Sequence, residues 1–149
     1  MLQYYTENKS DLFSTQFPVI VHGTNCHGVM GAGVARVVAE KYPDVYGWYK
    51  AVCANGDFQL GGCQLLYSAV GKKWIANLAT QYDLGSDARL SAVEVSLHNL
   101  AIKLNKINVG SVAMPMIGCG IGGLNWTDVS KLVKRFAKQN EIQTAVHYL

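Results

Sequence analysis

The chain has 149 residues, 50% of them hydrophobic, 15% charged and 15 of them glycine; a chain of this size buries about 68–70% of its unfolded surface, which excludes disorder and a stapled mini-protein. Thirteen basic against ten acidic residues leave a net charge of +3 without a basic run, so composition shows no dedicated nucleic-acid surface. The longest apolar stretch near the start, residues 17–21, is too short for a signal peptide or a spanning helix, and the scattered Cys26, Cys53, Cys63 and Cys119 form no C-x-x-C pair; the expectation is a soluble, cytoplasmic single domain over residues 1–149, with no membrane partner, no metal site, no cofactor and no disulfide framework.

Residues 18–22 read as a buried strand, followed by a glycine-rich turn and then by Val34, Val37, Val38 and Tyr42 on one helical face. Pro43 ends that helix, and Asp44 can cap a second one carrying Tyr46, Tyr49, Val52 and Cys53, stopped by Asn55-Gly56-Asp57. Two short strands follow at 63–68 and 73–78, with Gly71 in the reversal. Ser91-Ala-Val-Glu94 has the spacing of a capping box, stapled by Leu90 and Val95, and opens a helix burying Val93, Leu97, Leu100, Ala101 and Leu104. A strand at 111–117 precedes a second such terminus, Asn125-x-x-Asp128, whose helix carries the stripe Val129, Leu132, Val133, Phe136 and Ala137. Residues 142–148 form the last strand. This order predicts an α/β architecture of three α/β/α layers, with helices on both faces of a mixed, mainly parallel sheet.

Gly28-Val-Met-Gly31-Ala-Gly33 and Gly118-Cys-Gly120-Ile-Gly122-Gly123 each follow an apolar strand and precede an amphipathic helix. Glycine there allows close approach of a ligand to the backbone, and free amides at a helix N-terminus favour an anion such as phosphate. The second loop matches G-x-G-x-x-G, but only one helix and one strand follow it, unlike a dinucleotide fingerprint, and neither loop is followed by G-K-[ST]. The pattern points to a nucleotide-like ligand whose phosphates lie between the two loops.

Val21-His-Gly-Thr-Asn25-Cys-His-Gly28-Val-Met-Gly31-Ala-Gly33-Val-Ala35 and Met114-Pro-Met-Ile-Gly118-Cys-Gly120-Ile-Gly122-Gly-Leu-Asn-Trp126 resemble the two ligand loops of the macrodomains that bind ADP-ribose. Ser10-Asp11-Leu12 is similar to that family's Gly-Asp-Ile/Leu element, with Ser in place of Gly. The resemblance implies that the Asp11 carboxylate, next to Leu12, reads the adenine amino group, with Tyr148 or Leu149 packing near the base. It implies that Asn25 contacts the distal ribose and that Gly28, Val29, Met30, Gly31, Ala32, Gly33 and Val34 line the first loop. Ile117, Gly118, Cys119, Gly120, Ile121 and Gly122 would wrap the diphosphate.

His22 and the Cys26-to-Gly33 spacing are most similar to yeast-type phosphatases acting on ADP-ribose-1″-phosphate, which implies His22 and Asn25 as catalytic residues. A second branch removes terminal ADP-ribose by way of a lysine and an aspartate; here those positions hold Gln81 and Gly122, and neither side chain can do that chemistry. A phosphatase needs mainly positioning and charge neutralisation, and a histidine can orient or deprotonate the water or protonate the leaving oxygen. His27 is the competing histidine, and Asp83 or Asp87, in the loop 79–90 beside the ribose, are candidate partners of His22. A reader of ADP-ribose without chemistry, and a hydrolase acting on ADP-ribosylated macromolecules, are the alternatives.

Overall fold

The computed structural model describes residues 3–148; Leu149, expected beside the base, lies outside them. Six strands, β1 (Tyr5–Asn8), β2 (Val19–Thr24), β3 (Cys63–Ser68), β4 (Lys73–Ala79), β5 (Ser111–Met114) and β6 (Gln143–His147), form one sheet in the order β1-β6-β5-β2-β4-β3. All neighbours are parallel except the β3–β4 hairpin. Four helices accompany them: α1 (Gly33–Lys41), α2 (Pro43–Ala54), α3 (Leu90–Ile107) and α4 (Trp126–Asn140).

Strand alternation separates two cores. Val19, Val21, Ala76, Leu78, Val112 and Met114 point to one face, where Leu97 and Leu100 of α3 and Val133 and Phe136 of α4 cover them. Ile20, Ile75 and Ala113 point to the other, against Val38, Val45 and Tyr49 of α1 and α2. The result is the three-layer arrangement expected from element order.

Several local expectations change. β1 has a half-buried pattern and no apolar run, so no periodicity marked it in advance. The fifth strand stops at Met114, and residues 115–117 already belong to a loop. Pro43 opens α2 as its first residue, where a missing N–H costs nothing. Asp44 does not cap that helix from outside: its carboxylate accepts from Ser68 Oγ at 2.7 Å and from the Ala69 amide at 2.9 Å, tying α2 to the β3–β4 turn. Ser91 does not cap α3. The amide of Arg89 donates to Thr80 O at 2.9 Å, which holds Arg89 extended and starts the helix at Leu90, so Ser91 falls inside it. Asn125 is the N-cap of α4, but its side chain accepts from the Thr127 amide at 2.8 Å rather than from the Asp128 amide of the expected box, which bonds the Asn125 carbonyl at 3.1 Å.

The chain leaves β2 toward the α1/α2 face and leaves β5 toward α4 on the opposite face. Neighbouring parallel strands that depart to opposite sides open a crevice at their carboxyl ends. Here it is deepened because β2 pairs with β5 only at Val19↔Val112 and Ile20↔Ala113, while β2 continues along β4 to Thr24. Among the described residues no helix is long and apolar enough to cross a membrane.

Candidate functional site

A cavity of about 700 Å³ occupies this crevice, a size common for small-molecule sites of about 300–1,000 Å³. Both glycine loops face it. Of the residues singled out from sequence, it is lined by His22, Asn25, Val29, Gly31, Ala32, Gly33, Val34, Gln81, Ile117, Gly118, Cys119, Gly120, Ile121 and Gly122. Four others are not on its wall. Asp11 is exposed and caps a 3-10 turn at Leu12–Ser14, accepting from the Phe13 amide at 3.1 Å; Leu12 and Met30 are buried in the α1/α2 core; Gly28 lines a separate depression of about 320 Å³ with Lys50 and Cys53. Thr24, Pro115 and Met116, within the two loop motifs, and Thr80, Leu84 and Gly85, within the loop 79–90, join the wall although none was singled out from sequence.

The first loop is built around Asn25. Its Oδ1 accepts from the His27 amide at 2.9 Å, and its Nδ2 donates to Val29 O at 2.9 Å. The hydroxyl of Tyr49, fully buried on α2, lies 2.8 Å from both Asn25 O and Asn25 Oδ1. A helix on the α1/α2 face thus fixes the loop from behind. The loop delivers the chain to α1, whose N-cap Ala32 makes no side-chain bond and whose first turn holds no acidic residue. Ala32, Gly33, Val34 and Ala35 all line the cavity, so the unsatisfied amides and positive dipole end of α1 open toward it.

The glycines of the second loop serve different ends. Gly118 has φ +74°, a left-handed conformation that disfavours a side chain. A Cβ on Gly122 would lie 2.7 Å from Ala88 Cβ and 2.8 Å from Gly118 O, so this glycine allows the loop to pack on residues 81–88. A Cβ on Gly120 meets nothing within 4 Å, and one on Gly31 meets only Val29 Cγ1 at 3.6 Å. Packing within the protein does not require those two; both border open space in the cavity.

His22 is 1% exposed, on the cavity wall, with Nε2 2.6 Å from Asn77 Oδ1. Burial lowers its pKa to about 4, against an opposing push from the Asn77 bond, so the imidazole is neutral at pH 7. Its expected acidic partners are elsewhere. Asp83 pairs with Nε2 of His27 at 2.9 Å, outside the main cavity. Asp87 accepts from the Asp83 and Tyr82 amides at 2.9 and 3.1 Å, which lower its carboxyl pKa, and ties the loop together. Gln81 holds the same loop in shape: it forms a bridge with Ala88, and its Nε2 donates to Asp83 O and Gly85 O at 2.7 and 2.9 Å. The four cysteines are free thiols. Burial raises the pKa of Cys119, which faces the cavity, and pushes Cys26 up to about 11, so neither is a ready nucleophile at neutral pH.

A family model described as Macro domain matches residues 21–133. The chain is 29% identical over 145 residues to a DNA ADP-ribosyl glycohydrolase of Mycobacterium tuberculosis, an alignment covering 95% of this chain and 41% of the relative; the chain thus spans about two fifths of that protein's length. It is 29% identical over 149 residues to an ADP-ribose 1″-phosphate phosphatase of Candida albicans, covering 91% of this chain and 94% of the relative. Among solved structures, Thermosipho africanus DarTG in complex with ADP-ribose superposes with a TM-score of 0.89 at 25% identity, covering 99% of this chain and 42% of that one.

Proposed function

Because the chain belongs to the Macro domain family, we propose that its cavity binds ADP-ribose and that the domain hydrolyses the phosphate from ADP-ribose-1″-phosphate. The observation that carries this is the convergence of the uncapped α1 terminus, the open Gly31 and Gly120 and the buried His22 on one cavity. The diphosphate lies against the α1 amides and the second glycine loop, where an anion is favoured and a side chain would obstruct it. Asn25 orients the distal ribose, and the neutral His22 handles the proton of the attacking water. Similarity to the Candida phosphatase over most of both chains supports the choice.

Similarity to the Mycobacterium tuberculosis relative favours a second reading, removal of ADP-ribose from a modified macromolecule such as DNA. A lysine-dependent route of that kind has no nucleophile in Gln81, whose amide nitrogen is spent on the carbonyls of Asp83 and Gly85. An aspartate at position 122 has no room.

Phosphate release from ADP-ribose-1″-phosphate, in the presence of a chelator, is measured beside calorimetry with ADP-ribose and incubation with ADP-ribosylated DNA. The expected result is turnover of the phosphate ester without added metal. His22→Ala should lower turnover about tenfold to a hundredfold with ADP-ribose affinity retained, whereas Asn25→Ala should damage both. Tight binding with no turnover makes the domain a reader, and release of ADP-ribose from DNA establishes the second reading. Activity lost in chelator and restored by a divalent ion refutes the metal-free chemistry.

A further inference from the structure

Three polar side chains form a row across the carboxyl end of the sheet. Strand register sets His22 of β2 opposite Asn77 of β4, and Asn77 opposite Gln64 of β3. Asn77 Nδ2 donates to Gln64 Oε1 at 2.9 Å, and Asn77 Oδ1 faces His22 Nε2 at 2.6 Å. An amide oxygen only accepts, so Nε2 carries the hydrogen in this bond. A neutral imidazole has a single N–H, which leaves Nδ1 as a bare lone pair. That atom is buried and has no partner among the described residues, although His22 lines the cavity. With Asn77 flipped, the hydrogen would move to Nδ1 and become an orphaned buried donor, which is rarer in proteins than an unfilled acceptor.

We infer that Asn77 and Gln64 are positioning residues that hold His22 in its Nε2–H tautomer, so that Nδ1 meets the ligand as a hydrogen-bond acceptor. The inference rests on the proposal that His22 serves the ligand of this cavity. It narrows the chemistry: the resting imidazole takes a hydrogen bond or a proton from water or a ribose hydroxyl and has none to give from Nδ1. In phosphate removal, the water oxygen bonds to phosphorus as the phosphorus–ribose oxygen bond breaks. The water proton passes to Nδ1, and the departing ribose oxygen is protonated by solvent.

The full chain labelled with ¹⁵N-histidine reports the tautomer directly by NMR without substrate. The expected spectrum for His22 has a protonated Nε2 and a pyridine-type Nδ1 at pH 7; a protonated Nδ1 overturns the inference. Gln64 is half-buried on the edge strand, so Gln64→Leu preserves the fold while freeing the Asn77 amide to rotate. It should give a mixture of tautomers and lower kcat about tenfold, with KM and ADP-ribose affinity within about twofold of wild type. Gln64→Glu, which still accepts from Asn77 Nδ2, should restore both the tautomer and kcat. A Gln64→Leu protein with wild-type tautomer and kcat refutes the relay. An Nε2–H spectrum in a protein that releases no phosphate sustains the relay and refutes the phosphatase assignment alone.

Discussion

Gly120 and Gly122 are two residues apart in one loop, yet the structure gives them opposite roles, and alanine separates them. Neither has a left-handed backbone, so the same methyl carries no φ penalty at either site. At Gly122 it would sit 2.7 Å from Ala88 Cβ and 2.8 Å from Gly118 O. A backbone carbonyl and a Cβ cannot swing aside, so the loop must shift, straining the Ala88 amide's 3.2 Å bond to Gly122 O. Overpacking of this kind costs about 1–3 kcal/mol, or about 2–12 °C in Tm for a domain of this size. At Gly120 the methyl enters open space, and stability should stay within about 0.5 kcal/mol or rise slightly because the unfolded chain loses freedom. Urea unfolding followed by circular dichroism reads both. A Gly122→Ala protein as stable as Gly120→Ala would refute the assignment of Gly122 to packing and reopen position 122 to a carboxylate.

Gly120→Glu should fold normally yet lose ADP-ribose affinity by about tenfold or more in calorimetry, because it adds bulk and a repelling charge beside the anion site. His22 supplies a pH signature: its folded pKa, about 4, lies below the ordinary 6.5, so between these values the unfolded chain binds more protons and stability falls as pH falls. The loss totals about 3 kcal/mol by pH 4, and His22→Asn should flatten that part of the stability–pH curve. Asn125→Ala should cost about 1 kcal/mol as a lost helix cap, whereas Ser91→Ala, inside α3, should cost under about 0.5 kcal/mol in the same unfolding assay. Tyr49→Phe removes the donor behind Asn25 and should cost about 1 kcal/mol while weakening ADP-ribose binding measured by calorimetry.

The features legible from the chain alone are local in origin. Apolar spacing on α4, the Asn125 cap and the strand–glycine–helix order around residues 22–33 and 114–126 depend on contacts a few residues apart, and these elements formed as expected. β1 was illegible because Tyr5–Asn8 carries no apolar run and is defined by pairing with β6 at the far end of the chain. The capping box at Ser91 failed because Thr80, just past the end of β4, accepts from the Arg89 amide, and the helix starts at Leu90. His22 ahead of the first glycine loop was visible, but the strand expected to end there continues to Thr24, and the partner of His22 was not legible. Asp83, near in the loop, went to His27, and Asn77 met His22 through strand register, backed in turn by Gln64 from the antiparallel edge. Chain pattern specifies which face a residue occupies. Which side chain it meets there depends on strand order and register, set by the burial of both sheet faces at once.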